Sequence, residues 1–273
     1  MEAFSERLLR EHQPAWQAMQ QHPFVTDIEQ DRLPTVVFNR YLVFEGNFVA
    51  TAIAIFALGV SKAPGIQQQR WLIGVLNALV DIQIAWFEQV LSARQIDPAE
   101  YPDDLPGVRR FRDGMLRTAR EGSYEQIVTL MFGAEWMYSC WCRRASEHRQ
   151  RDADLRRWVE MHAEDEFYQQ ALWLKHELDR CAMALSENEK QALSALYGEV
   201  LQWEIDFHHA AYEGEPTPLD QRVEDVERQI ITEALNIHQG RINEVAEYLL
   251  IPRKKLYLRM KKYGLNKEHY KGV

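Results

Sequence analysis

The chain is expected to be all-α, a large helical bundle followed by a small helical module at its C-terminal end. Three observations predict this. Apolar residues recur at spacings of three and four along most of the chain, no segment alternates as a strand does, and the balance of charge changes sign near residue 220. Of the 273 residues, 46% are hydrophobic and 27% charged, a balance that excludes disorder and leaves ample apolar surface for a core. Residues 220–273 hold eleven Lys or Arg against eight Asp or Glu, while residues 1–219 hold 21 against 33. An acidic body of net charge −12 is therefore joined to a basic tail of +3.

Taken in order, the N-terminal stretch MEAFSERLLREH carries both signs of charge and lacks the apolar core of a signal peptide, so a cytoplasmic protein is expected. The segment LPTVVFNRYLVFEGNFVATAIAIFALG has helical periodicity, as does RQRDADLRRWVEMHAEDEFYQQALWLKHELDR, which reads as one helix. The longest apolar runs, 48–60 and 72–86, are interrupted by Asn, Thr, Asp or Gln and fall short of the roughly 20 apolar residues that a membrane span requires. No membrane partner is expected. Breaks are predicted at 63–65, 97–107, 121–123, 185–188 and 213–219. The last, EGEPTPL, coincides with the change in charge and is the best linker. The predicted organisation is a bundle at 1–213, a linker at 214–221 and a small basic helical module at 222–273.

Cys140, Cys142 and Cys181 form neither a disulfide framework nor a metal-binding pair, and Cys140 and Cys142, two apart, point away from each other on a helix. They read as small apolar residues. The eight tryptophans, among them Trp136, Trp141, Trp158, Trp173 and Trp203, read as core. His176 and His209 read as surface residues.

In the tail, VEDVERQIITEALNIHQ places Val226, Ile230, Ile231, Ala234 and Leu235 on one helical face and ends at Gly240. A short helix with Val245, Ala246 and Leu249 follows, then a tight connection at Leu250 and Ile251, then a helix opening with Pro252, a residue favoured at a first helical position. Leu256 and Met260 face its inner side, leaving Arg253, Lys255 and Arg259 outward. Two crossing helices, with basic residues at the N-terminal end of the second, suit a DNA major groove. The segment QGRINEVAEYLLIPRKKLYLRMKKYGLN resembles the Fis-type helix-turn-helix found at the C-terminus of enhancer-binding activators. The resemblance implies that double-stranded DNA meets Arg253, Lys254, Lys255 and Arg259, with Arg241, Tyr257, Lys261 and Lys262 beside them. Leu250 departs from that family's turn glycine, and it is a strained position if its φ is positive. Such activators also carry an ATPase, but no phosphate loop of the G-x-x-x-x-G-K type is present here, so ATP-driven remodelling is not inferred.

The body carries HPFVTDIEQDRLPTVVFNRYLVFEGNFV, then FGAEWMY at 132–138 and LQWEIDFHHAAY near its end. These resemble the TenA family of thiamine-salvage proteins, which share a helical bundle with haem oxygenase and with the cofactor-synthesis enzyme PqqC. The resemblance spans most of 10–213 and implies a haem-oxygenase-like bundle around a pyrimidine pocket. Carried across position by position, the family's aspartate becomes Glu45, a neighbouring tyrosine becomes Phe48, another tyrosine becomes His162, and the late glutamate is retained as Glu204. Phe111 and Tyr138 complete the implied pocket. The nucleophilic cysteine position holds Ala134 with Glu135 beside it, and an alanine methyl cannot attack. If hydrolysis survives, Glu204, Glu135 and Glu45 would carry it.

A rival chemistry would hold metal ions. His162 with Glu166 and Glu204 with His208 are each four apart and share a helix face, and Glu135 or Glu45 could converge on them. The third helix, LVDIQIAWFEQ, supplies no histidine. The expectation is a transcriptional regulator built on a degenerate enzyme scaffold, without a cofactor. It would bind a small heterocyclic ligand and act as a homodimer or homotetramer. The alternative is an aminopyrimidine or thiamine hydrolase, or a metal oxidase, with a DNA-binding tail.

Overall fold

The computed structural model describes residues 2–213 and 219–270, and within 219–229 it describes side chains at Val223, Glu227 and Arg228. The regular elements among the described residues are all helical. The chain divides into two compact units, Met1–Glu213 and Gly214–Val273.

The first unit contains α1 (Phe4–Glu11), α2 (Gln13–Gln20), α3 (Pro23–Glu29), α4 (Thr35–Lys62), α5 (Ile66–Ala78) and α6 (Ile84–Ala93). It continues with α7 (Pro106–Glu121), α8 (Tyr124–Ser146), α9 (Ala153–Ala163), α10 (Asp165–Ala182) and α11 (Glu187–Ala210). Helix starts are set locally. Ser123 and Ser186 open α8 and α11 with capping boxes closed by Gln126 and Glu189, and the Asp152 carboxylate accepts from the first N–H groups of α9. The gaps between α4 and α5, α6 and α7, α7 and α8, and α10 and α11 fall at breaks the sequence marks.

One helix read from the sequence is in fact two. Glu164, with φ −59° and ψ 149°, separates α9 from α10. No proline or glycine signals that turn. It is fixed by both helices packing on α8, a tertiary demand that local pattern does not carry.

Helices α4 and α8 form the centre, with α5 and α7 packed on α4 and α9, α10 and α11 on α8. Tyr41, Phe44, Phe132, Trp141, Trp158 and Phe207 are buried there. Trp203 is buried as well, whereas Trp136 and Trp173 are only half-buried. By length and composition α4 and the 66–93 stretch are apolar enough to cross a membrane. Mean hydropathy is a looser criterion than an uninterrupted apolar run, and α4 carries Tyr41, Leu42, Phe44 and Phe56 into the bundle's interior.

Two glycines bring α11 close. A Cβ on Gly133 of α8 would lie 2.8 Å from Val200 Cγ1, and one on Gly107 of α7 would collide with the main-chain oxygen of Asp206. Without those contacts α11 would stand further out, and Glu204 with it.

The second unit consists of α12 (Leu219–Ile237), α13 (Ile242–Tyr248), α14 (Arg253–Lys262) and a closing turn, Lys267–Tyr270. Ile231, Leu235, Val245, Ala246, Leu256 and Met260 form its core. Ile230, expected inside, is 47% exposed, and the side chain of Val226 lies outside the described residues. Of the segment expected to be a linker, residues 219–221 belong to α12 and 214–218 lie outside the described residues. Pro252 stands one residue before α14, as its cap in extended geometry.

Candidate functional site

In the first unit a cavity of about 80 Å³ lies where α4, α7, α8, α9 and α11 meet. Glu45 and Phe48 enter from α4, Phe111 from α7, Ala134, Glu135 and Tyr138 from α8, His162 from the last turn of α9, and Glu204 from α11. All the residues assigned to a ligand pocket from the sequence therefore line one space. Phe48 and Phe111, both lining the cavity, stack on each other with ring centroids 4.3 Å apart and planes at 27°.

Its polar groups are desolvated. Glu45 accepts a hydrogen bond from Trp158 Nε1 at 2.7 Å, yet burial, reinforced by Glu135, pushes its carboxyl up to about 8. Glu135 accepts from Gln170 Nε2 at 3.2 Å, and burial raises it to about 7. Glu204 is fully buried, neither carboxyl oxygen has a hydrogen-bond partner among the described residues, the His208 Nδ1 at 3.8 Å from Oε2 being too far, and burial together with Glu45 and Glu135 pushes it well above the usual carboxylate range. Burial lowers His162 and His208 to about 4. His162 Nε2 lies 3.8 Å from Glu45 Oε1, but with the acid raised and the imidazole lowered the pair is neutral, not an ion pair.

Neutral His208 fixes the direction of a hydrogen-bond chain. Its Nδ1 donates to the main-chain oxygen of Glu204 at 2.8 Å, so Nε2 accepts from the Tyr138 hydroxyl at 3.2 Å. The Tyr41 and Tyr138 hydroxyls are 2.7 Å apart. Tyr138 and His208 are thus satisfied by protein, whereas the carboxyl of Glu204 is not.

The five residues considered for metal do not all gather: Glu135, His162 and Glu204 line the cavity, whereas Glu166 and His208 do not. Glu166 is exposed and lines an outer groove between α5 and α10, and His208 is held in the hydrogen-bond chain behind the cavity wall. Sharing a helix face put each pair in register, but Glu166 is on α10, beyond the turn at Glu164 that separates it from His162. Among the described residues no group of three His, Cys, Asp or Glu is placed to hold a metal ion. No cysteine lines the cavity among the described residues. Cys142 is buried with its thiol pushed well up, Cys140 is half-buried and raised to about 11, and neither lines the cavity.

Sequence reading missed Trp158, Gln170, Gln83, Phe167 and Phe207. Trp158 stands four residues before His162 and Phe207 three after Glu204, so helical spacing from known pocket residues was a usable signal. Gln83 had none, because it is brought in by one wide helical turn, Leu79–Gln83, between α5 and α6.

In the second unit α13 and α14 are joined by a turn in which Leu250 has φ +51°. The Leu250 N–H donates to Glu247 O at 3.1 Å and the Ile251 N–H to Ala246 O at 3.0 Å, the pair of bonds that ends a helix through a left-handed residue. The same closure at the end of α14 uses Gly264, at φ +66°. Beyond the turn, Arg253, Lys254 and Lys255 are exposed at the start of α14, and Tyr257, Lys261 and Lys262 are exposed further along. Arg241 is exposed at the start of α13, where it pairs with Glu244 at 2.9 Å. Arg241, Arg253, Tyr257 and Lys267 border one groove. Arg259 departs from expectation: it is not outward but pairs with Glu227 of α12 at 2.7 Å, and Glu227 also accepts from the Tyr263 hydroxyl.

A helical bundle around a carboxyl-lined cavity defines the class of the first unit. Residues 9–214 match the TENA/THI-4/PQQC family, and the chain belongs to that family. Residues 222–263 match the bacterial regulatory protein, Fis family, which is the helix-turn-helix class of the second unit.

An aminopyrimidine aminohydrolase of Halalkalibacterium halodurans is 26% identical over 221 residues, covering 77% of this chain and 96% of that protein. Another, from Helicobacter pylori, is 22% identical over 213 residues, covering 77% and 98%. In its C-terminal part the chain is 91% identical over 57 residues to the phosphoglycerate transport system transcriptional regulatory protein PgtA of Salmonella typhimurium. That match spans 21% of this chain and only 14% of that relative's length. The crystal structure of a TenA homologue from Pyrococcus furiosus superposes with a TM-score of 0.70 at 21% identity, covering 77% of this chain and all of that one.

Proposed function

We propose that the chain is a sequence-specific, DNA-binding transcriptional regulator whose bundle takes up a small nitrogen heterocycle and thereby biases DNA binding. The observation that carries this is the occurrence, in one chain, of a Fis-type reader and a cavity bordered by Ala134, the position that the TenA resemblance gives to the family's nucleophile. The stacked rings of Phe48 and Phe111, and a Glu204 carboxyl without a hydrogen-bond partner among the described residues, suit this cavity to hold a ring bearing N–H groups. In this reading Glu45, Tyr138 and His162 line the ligand's edges. Arg253, Lys254 and Lys255 enter the major groove, and Arg241, Tyr257, Lys261 and Lys262 support docking on the backbone. A homodimer or homotetramer presents paired readers to two half-sites, and the protein works in the cytoplasm with its DNA.

The test is selection of binding sites from random DNA by the full chain, with and without a 4-aminopyrimidine. Recovery of a discrete motif whose affinity shifts with the pyrimidine is expected, since a ligand moves the equilibrium only by its unequal affinity for the two states. Recovery of no motif, with affinity falling equally for all sequences as salt rises, would sink the reading. A hydrolytic reading draws on the raised carboxyls of Glu45 and Glu135, which suit proton transfer near neutral pH. Turnover of an aminopyrimidine that is lost in Glu204→Gln would favour it.

A further inference from the structure

Helix α11 serves two places in the chain. Glu204 and Phe207, in its C-terminal half, line the cavity, and of the cavity-lining helices it is the last before the second unit begins. At 1.5 Å of rise per residue, Glu204 and Ala210 are about 9 Å apart along the axis, so a shift or rotation imposed at the cavity reaches the end of the helix.

The way α11 is held changes along its length. Leu193, Leu196, Tyr197, Val200 and Leu201 fix it by burial in the bundle. From His209 onward, hydrogen bonds to α3, to the cap of α3 and to α4 fasten it as well. His22, the cap, accepts the Phe24 N–H on Nδ1 at 3.1 Å, so its Nε2 carries the proton and donates to His209 Nδ1 at 2.9 Å. The Arg40 guanidinium donates to the main-chain oxygen of Ala211, and the Tyr212 hydroxyl donates to Asp27 Oδ2 at 2.9 Å. The backbone tightens at the same place: the N–H groups of Ala211, Tyr212 and Glu213 donate to oxygens three residues back, at 3.3, 3.0 and 3.1 Å. Helix α3 is the fixed side of this fastening. Its Phe24, Val25 and Ile28 are buried, and Glu29 pairs with Arg144 of α8.

We propose that residues 209–212 form a latch, closed on His22, Asp27 and Arg40, through which occupancy of the cavity alters DNA binding by the second unit. This rests on the ligand-responsive reading given above and supplies its route. A ligand held against Glu204 and Phe207 favours the placement of α11 in which the latch bonds form, and the closed latch fixes the point from which the chain leaves the bundle. The latch has the two discrete states that such coupling requires, made and broken. His209 is exposed and Tyr212 half-buried, so their hydrogen bonds exchange for bonds to water at small net cost while the apolar packing of α11 stays in place. Both are positioning residues, since neither lines the cavity and neither belongs to the DNA-reading segment.

The experiment uses the full chain, 4-aminopyrimidine as the probe and the DNA motif recovered by selection, with probe affinity followed by calorimetry and DNA affinity measured without and with saturating probe. In the unaltered chain the probe should shift DNA affinity by about fivefold or more. In the double variant His209→Leu, Tyr212→Phe the shift should fall below about twofold, with probe affinity, melting temperature and DNA affinity without probe unchanged. Tyr212→Phe alone, which deletes one donor and keeps the ring, should give an intermediate shift. His209→Asn keeps an acceptor at the δ position and should retain the full shift, a rescue that mere loss of surface packing would not show. A full shift in the double variant, a loss of probe affinity that accounts for the lost shift, or a loss in His209→Asn as complete as in His209→Leu would each overturn the proposal.

The unaltered chain separates this proposal from the reading beneath it. If the probe leaves its DNA affinity unaltered, ligand-coupled regulation fails and the latch fails with it. If the probe shifts DNA affinity equally in the unaltered chain and in the double variant, regulation stands and the latch alone fails.

Discussion

Glu45, Glu135 and Glu204 in the bundle and Arg253, Lys254 and Lys255 on α14 are each a set of three ionisable residues, but their surroundings give them opposite physical characters. The acids are enclosed by aromatic and aliphatic side chains, and desolvation raises their pKa values until protons compete with charge. The bases stand exposed to solvent at a helix start, where a side chain needs no protein partner to be stable. A buried acid stores an unmet demand that a specific small molecule can satisfy. An exposed base offers long-range attraction to any polyanion and gains sequence preference only from the geometry of its helix.

The largest expected effect comes from removing the stored demand. Glu204→Met replaces an unpartnered buried carboxyl with an apolar side chain of similar length and should stabilise the bundle by about 1–3 kcal/mol. Thermal denaturation should show the bundle melting several degrees higher, with ligand binding abolished. A lower melting temperature would mean that Glu204 is satisfied in the folded protein.

The exposed cluster should behave in the reverse way. Arg253→Ala should change stability by no more than about 0.5 kcal/mol. It should cost about 1–3 kcal/mol of DNA affinity and relax base preference at one position of the selected motif. Lys261→Ala should instead weaken binding to all sequences alike and reduce the salt slope by about 1. Identical base preferences for Arg253→Ala and the parent would remove Arg253 from the reading residues.

pH distinguishes the two regions further. Folded Glu45 and Glu135 hold protons up to about 8 and 7, well above the ordinary value of 4.5, so the folded chain binds more protons than the unfolded chain and stability falls as pH rises through that window. His162 and His208, lowered from 6.5 to about 4, act in the opposite sense and add stability as pH rises between those values. The tendencies offset one another below pH 6.5. From 6.5 to 8 the acids act alone, so the bundle's melting temperature should decline there, and Glu135→Gln should flatten the decline.

The smallest effect belongs to the turn between α13 and α14. Leu250 is 91% exposed and sits at φ +51°, so its side chain recovers almost no burial for a backbone conformation that disfavours any residue with a Cβ. Leu250→Gly should stabilise the second unit by up to about 1 kcal/mol, readable by chemical denaturation, and should leave base preference unchanged. The resemblance to glycine at this position made the strain legible in advance, and the observed φ places it there.

The sequence by itself determined the elements whose causes are local. Capping residues, helical periodicity and the change of charge near residue 220 mark most helix ends and the acidic and basic parts, because each depends on neighbours within about one turn. The family positions also identified Glu45, Phe48, Phe111, Ala134, Tyr138, His162 and Glu204 before they were seen to line one cavity. Only the tertiary structure decided which charges are masked and which are presented. Arg259 has the same chemistry as Arg253, but it faces inward because α12 brings Glu227 within 2.7 Å. His208 shares a helix face with Glu204, but Tyr41 and Tyr138 draw it into a hydrogen-bond chain. Glu166 follows His162 by four residues, but the turn at Glu164 sends it to the surface. In each case the deciding partner lies on another helix or across a turn that local sequence does not encode, and desolvation, which sets the state of the cavity's acids, exists only once those helices have packed.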